Sequence, residues 1–305
     1  MSAETNLGLH RFAVLTAGAT FLLLIAGALV TSNDAGLAVP DWPLSYGTWM
    51  PPMVGNIVYE HGHRMVAIFV GLLTTVLAVW LGWKEPRRWV RRLGWAALGA
   101  VVAQGILGGL TVLFLLPRPV SIGHASLAQL FFCLTVSLAL FTSPGWKREV
   151  RKLEDTGTPS LQRLGAATAG AIFAQLILGA AFRHNAAGIV PHLVGAAVVV
   201  FFVVWTLKRV WQQCAPLAGL RRPALALAGL LGMQLLLGAG AYLMRVASAA
   251  GSQPTLGLVG LTVAHVAGGA LTLAASVVLT LESHRCLVRP GQAPALASAT
   301  QKAIV

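Results

Sequence analysis

Four histidines have the type and spacing that point most directly to chemistry in this chain: His63, His124, His192 and His265. Each falls near the start of a long apolar stretch. Three of them follow a shared string one stretch earlier, Gln104-Gly-Ile-Leu-Gly108, Gln175-Leu-Ile-Leu-Gly179 and Gln234-Leu-Leu-Leu-Gly238, and ahead of His63 the string reads Leu23-Leu-Ile-Ala-Gly27. A polar ring at membrane depth is costly and marks a functional position by default. One such histidine is most simply a hydrogen-bonding partner of a nearby carbonyl; four at one depth in repeated units are not. Imidazole also suits zinc or copper, but those ions need ligands converging on one point, and no nearby cysteine or dense carboxylate set supplies them. Two histidines on opposing helices suit a planar iron porphyrin gripped from both faces. The spacing predicts two heme sites, His63 with His124 and His192 with His265.

Heme propionates need cations near the aqueous edge. Arg118, Arg183 and Arg245 follow the outer ends of the third, fifth and seventh apolar stretches, and Arg64 follows His63. Interfacial snorkelling explains any one of them. Their repetition in register with the histidines predicts bidentate propionate contacts. The two halves differ at Glu60, three residues before His63 and on the same helical face, where the second half has Ile189. A carboxylate there can favour a helix N-terminus. Alternatively it can move a proton or stabilise a developing cation. The second reading makes Glu60, His63 and His124 a reaction site and the other half an electron-storing cofactor site. His10, His61 and His184 lie at loop or helix edges and are expected to be solvated. The Pro-, Gly- and Trp-rich segment from Ser32 to Tyr59 is expected to fold as a lid over the first site.

The elements that must position these side chains follow from composition. The chain has 305 residues, 56% hydrophobic and 10% charged, with a mean hydropathy of +0.75. Crossing a bilayer takes about 20 apolar residues. Eight stretches qualify, 11–31, 62–82, 94–116, 122–143, 164–182, 189–207, 224–244 and 257–281. The expected fold is therefore an all-α integral membrane protein of eight transmembrane helices, arranged as two pseudo-symmetric four-helix bundles. Residues 1–155 would hold the first site and its lid, and residues 156–305 the second. The net charge of +13 invites a nucleic-acid reading, but the cations sit in every second connection: Lys84 to Arg92, Lys147 to Arg163, Lys208 to Arg222, and Arg285, Arg289 and Lys302. That is the positive-inside pattern, which places both termini in the cytoplasm and argues against nucleic acid as a partner. The first apolar run is too long for a signal-peptide core and no small-residue cleavage site follows, so it is read as a span. Cys133, Cys214 and Cys286 avoid the outer side, which predicts no structural disulfide, and the absence of CxxCH excludes covalent heme attachment.

The segment Gly36-Leu-Ala-Val-Pro-Asp-Trp-Pro-Leu-Ser-Tyr-Gly47, then Glu60-His-Gly-His-Arg64, then the three later histidines, resembles the heme A synthase family over all eight spans. The resemblance implies oxidation of the C8 methyl group of heme O to a formyl group, giving heme A for terminal oxidases. It places substrate heme O near Glu60, His63 and His124, and a tightly held heme b between His192 and His265. It also implies a bacterial plasma-membrane location, heme O synthase and an electron donor as partners, and allows a homo-oligomer. Many members carry a cysteine pair in the first outer loop, where this chain has Val39 and Ser45. The competing functions are a non-enzymatic bis-histidine electron carrier and a heme transfer protein.

Overall fold

The computed structural model describes residues 6–150, 152–214, 217–248 and 253–291. Arg151 and Lys302, two of the cations counted above, lie outside the described residues. Eight long helices account for most of the chain: α1 (Leu7–Ser32), α2 (Ile57–Lys84), α3 (Arg88–Leu113), α4 (Arg118–Thr142), α6 (Leu161–Arg183), α7 (Ile189–Gln213), α8 (Ala218–Ala247) and α9 (Leu256–Cys286). A one-turn helix α5 (Pro144–Lys147) follows α4. All eight long helices are apolar enough and long enough to span a bilayer. Polar residues cap the N-termini of three of them: Asn6, Ser160 and Thr255 accept from the backbone amides of Leu9, Arg163 and Leu258. Within the spans, hydroxyls are satisfied by the preceding turn, as Thr16, Thr74, Thr168 and Thr272 donate to carbonyls four residues back.

Helices α1 to α4 pack in a closed circuit, each against its sequence neighbour and α4 back on α1; α6 to α9 do the same, with α9 back on α6. The two circuits meet through α1 and α4 against α9, and α4 against α6. Those shared helices carry the apolar core. One cluster joins Phe132 and Cys133 of α4 to Ile172, Val203, Leu227, Ala270 and Leu273, and a second holds Leu9, Val70, Leu77, Phe131 and Leu138. Small residues permit the closest approaches: a Cβ on Gly165 would lie 2.8 Å from Thr280 Oγ1 on α9.

At the end opposite the lid, a two-residue parallel ladder pairs β1 (Leu153–Glu154) with β2 (Leu287–Val288). The Asp155 carboxylate accepts from Gly157 N and Leu161 N and pairs with Arg209 at 3.2 Å. Arg285 donates to the carbonyls of Gly145 and Arg148. These bonds tie the segment between α5 and α6 to α7 and α9. Cys214 and Cys286, expected in a loop and a tail, are instead buried where α7 and α9 end.

Candidate functional site

All four hairpins present their histidine in the same way. The glycine that closes each shared string faces the imidazole of the next helix: a Cβ on Gly27, Gly108, Gly179 or Gly238 would lie 3.2, 3.5, 3.1 or 2.9 Å from Cε1 of His63, His124, His192 or His265. The glycine is therefore a notch into which the ring edge fits. The glutamine of the string has a second task. Gln104, Gln175 and Gln234 each donate through Nε2 to the backbone carbonyl of His124, His192 and His265, at 3.0, 2.9 and 2.9 Å. A polar side chain thus crosses between the helices of the hairpin and pins the turn that carries the ring.

His192 and His265 come together across the second circuit, with ring centroids 6.3 Å apart and planes at 83°. With about 2 Å for each bond from metal to imidazole nitrogen and about 1 Å from that nitrogen to its ring centre, two axial imidazoles on one metal have centroids about 6 Å apart. The pair fits a bis-histidine iron porphyrin. Nδ1 of His63, His124 and His265 is buried without a partner. In the first circuit His124 lies within electrostatic reach of His63.

The lid is built from residues 33–56, between α1 and α2. Its Pro-Asp-Trp-Pro-Leu-Ser-Tyr-Gly segment folds by local chemistry. Tyr46 and Gly47 both have positive φ, 52° and 69°, and Ser45 and Thr48 exchange backbone hydrogen bonds across them, the geometry of a tight two-residue turn. Asp41 accepts from both turn amides, Tyr46 N at 2.6 Å and Gly47 N at 2.8 Å. The Gly47 amide, above all, holds the Asp41 carboxyl below its ordinary range.

Helix α2 then grips this lid with three polar groups of its first turns, Glu60, His61 and Arg64. Glu60, 4% exposed, accepts from Val39 N at 2.8 Å and from Arg64 at 2.7 Å. His61 Nδ1 shares a 2.8 Å hydrogen bond with Ser45 Oγ. Arg64 donates to the carbonyls of Asp41 and Leu44, at 2.7 and 2.8 Å. Three departures from the sequence reading follow. His61 is buried, not solvated. Glu60 is not a lone carboxylate, because Arg64 is its i+4 partner. Arg64 is committed to Glu60 and the lid backbone, so its guanidinium serves the loop. Val39 and Ser45, near the places where the family resemblance leads one to expect cysteines, are both tethered to α2 by hydrogen bonds.

The remaining arginines are spread differently from the expectation that each lies just beyond a helix end. Arg118 opens α4 and is exposed; Arg183 is the last residue of α6; Arg245 lies inside α8. Arg183 donates to the carbonyl of Thr31 at the end of α1 and sits 3.9 Å from Asp34. Arg245 stacks on Phe182, 5.5 Å from the ring centroid. Arg183 and Arg245 thus flank Phe182 near the end of α6, while Arg118 stands apart. Sequence reasoning missed Trp42, whose ring lies against α3: a Cβ on Gly109, next to the Gly108 notch, would sit 2.7 Å from it. The corresponding second-half residue, after Gly238, is Ala239. Gly109→Ala should therefore dislodge Trp42, costing about 1–3 kcal/mol, and cleavage of the lid by added protease should accelerate while Ala239→Gly has no such effect.

An all-helical, multi-pass membrane protein with histidines matched hairpin by hairpin is the class that this fold and site define. The COX15-CtaA family, described as cytochrome oxidase assembly protein, matches residues 53–193, which hold Glu60, His63, His124 and His192. A heme A synthase of Symbiobacterium thermophilum is 28% identical over 223 residues, 63% of this chain and 73% of that protein. Heme A synthases of Alkalihalophilus pseudofirmus and Shouchella clausii are 30% and 35% identical over 134 and 111 residues, which is 42% and 35% of this chain and less than half of either relative. The likeness to the COX15-CtaA family and to heme A synthases thus takes in Glu60 and three of the four histidines.

Proposed function

We propose that this protein is a heme A synthase of the bacterial plasma membrane, taking heme O as substrate and oxidising its C8 methyl group to a formyl group. The observation that carries this reading is the asymmetry between two otherwise matching sites. Both halves offer a histidine pair set in glycine notches, but only the first places a buried carboxylate, Glu60, under a 24-residue lid spanning residues 33–56. A bis-histidine electron carrier needs neither. Substrate heme O would lie at His63 and His124, and a resident heme b would be held by His192 and His265, with Arg183 and Arg245 serving its propionates. Bound there, heme b supplies one-electron storage. The basic connections support an orientation with both termini in the cytoplasm, in which the lid and all four histidines would lie towards the outer face.

Converting methyl to formyl is a four-electron oxidation that adds one oxygen, and it passes through electron-poor carbon. Glu60 is placed to act electrostatically on that carbon. Both its oxygens are fixed, one by the Val39 amide and one by Arg64, and each keeps a lone pair. A carboxylate anchored in this way does not have to reorganise as positive charge develops, which is the condition for strong stabilisation in a site that excludes water. The lid supplies that exclusion.

The test is co-expression with heme O synthase in a host that makes no heme A, followed by chromatography of the extracted porphyrins. Heme A should accumulate with the wild-type chain. Glu60→Gln should lower it by about 100-fold with the second-site heme spectrum intact. Extracts holding only heme b, at two per chain, would identify an electron carrier instead.

A further inference from the structure

The fourfold repeat is broken at one position, and the break falls on a single ligand. Gln104, Gln175 and Gln234 each place a terminal amide on the turn that carries His124, His192 and His265. In all three the amide oxygen is buried without a partner, and so is Nδ1 of His124 and of His265. At the remaining ring, the Gln175 amide stands 3.0 Å from His192 Nδ1. That atom is the amide nitrogen, which also lies 3.4 Å from His192 Nε2 and donates to the His192 carbonyl, so the glutamine acts by pinning the helix turn that carries the ligand. In the second half this amide has space made for it. Gly195 and Gly268 each stand three residues after their histidine, and a Cβ at either would press on Gln175 or Gln234. The first hairpin has none of this: Leu23 replaces the glutamine and has no group to donate to the carbonyl of the turn that carries His63.

We propose that Gln104, Gln175 and Gln234 are positioning residues that hold His124, His192 and His265 with Nε2 presented to iron, and that Leu23 leaves His63 as the weakly held ligand. The first site then has one firm and one labile histidine, while the second has two firm ones. This rests on the reading of the first half as the substrate site, and it supplies a reason for the difference: a substrate porphyrin must be admitted and released, whereas a resident one must stay.

The experiment measures the transfer of ferric heme b from the full-length, heme-loaded protein in detergent to excess apomyoglobin. The wild type should show two phases, the faster abolished by His63→Ala. Leu23→Gln should slow the fast phase at least about tenfold, and Gln234→Leu should speed the slow phase by a similar factor, since partners of metal-bound histidines typically change affinity 10–100-fold. Redox titration gives a readout that packing alone does not move. A more firmly held axial histidine favours the ferric state, so Leu23→Gln should lower the first-site midpoint potential and Gln234→Leu should raise that of the second. If Leu23→Gln leaves the fast phase and its potential where they were, the inference is wrong. A wild type with no phase that His63→Ala removes would overturn the substrate-site reading itself. Should Gln234→Leu not accumulate, Gln234→Asn, which withdraws the amide by one methylene, must give the same acceleration.

Discussion

Replacing His265 by alanine is expected to empty the second site and abolish heme A formation. The ring is one of a pair whose centroids stand 6.3 Å apart, so its loss leaves His192 without the opposing imidazole. Loss of an axial ligand should weaken heme retention by more than the roughly 100-fold that an outer partner can cost. Purified His265→Ala should therefore carry about one heme fewer per chain, with the low-spin spectrum of the second site gone. His192→Ala should behave alike, and added imidazole should restore part of the spectrum in either variant. Gly238→Ala is the milder form of the same test, because its methyl would press on His265 Cε1 at 2.9 Å. If His265→Ala kept a full complement of low-spin heme, the pairing would be wrong.

The second large effect is expected at Arg64. Its guanidinium pairs with a carboxylate whose side chain is only 5% exposed and also holds the lid through the carbonyls of Asp41 and Leu44. Arg64→Ala leaves a buried charge without its partner, which costs about 3–5 kcal/mol. It should lower the thermal midpoint, open the lid to protease between Asp41 and Met50, and reduce heme A formation together. Removing both charges, in Glu60→Gln with Arg64→Met, should recover much of the stability and none of the activity, because an uncharged pair no longer has to be buried as ions. A double variant as unstable as Arg64→Ala would show that the lid carbonyls, not Glu60, are what Arg64 serves. Ser45 and His61 contribute a weaker anchor to the same end: one hydrogen bond, about 1 kcal/mol. Together these bonds hold the loop to α2 at Val39 and Ser45.

The spans, their number and the assignment of one histidine to each hairpin were legible in the amino-acid sequence because they depend on local signals. An apolar run of membrane length forms a helix wherever it occurs, since the bilayer leaves the backbone no other way to satisfy its polar groups. The repeated Gln-x-x-x-Gly string likewise marked the helix facing His124, His192 and His265. What it does there was decided by tertiary structure. Glycine notches and amide-to-carbonyl bonds join residues 13 to 36 positions apart, such as Gly179 to His192 and Gly27 to His63. Nothing in the spacing alone reports such distances. The lid shows the same division. Its turn at Tyr46-Gly47 follows from local chemistry, whereas the burial of His61, the pairing of Glu60 with Arg64 and the docking of Trp42 on Gly109 arise only when the loop folds back on α2 and α3. Side-chain partners of that kind are chosen by which surfaces meet after the helices have packed, and a linear pattern does not contain that choice.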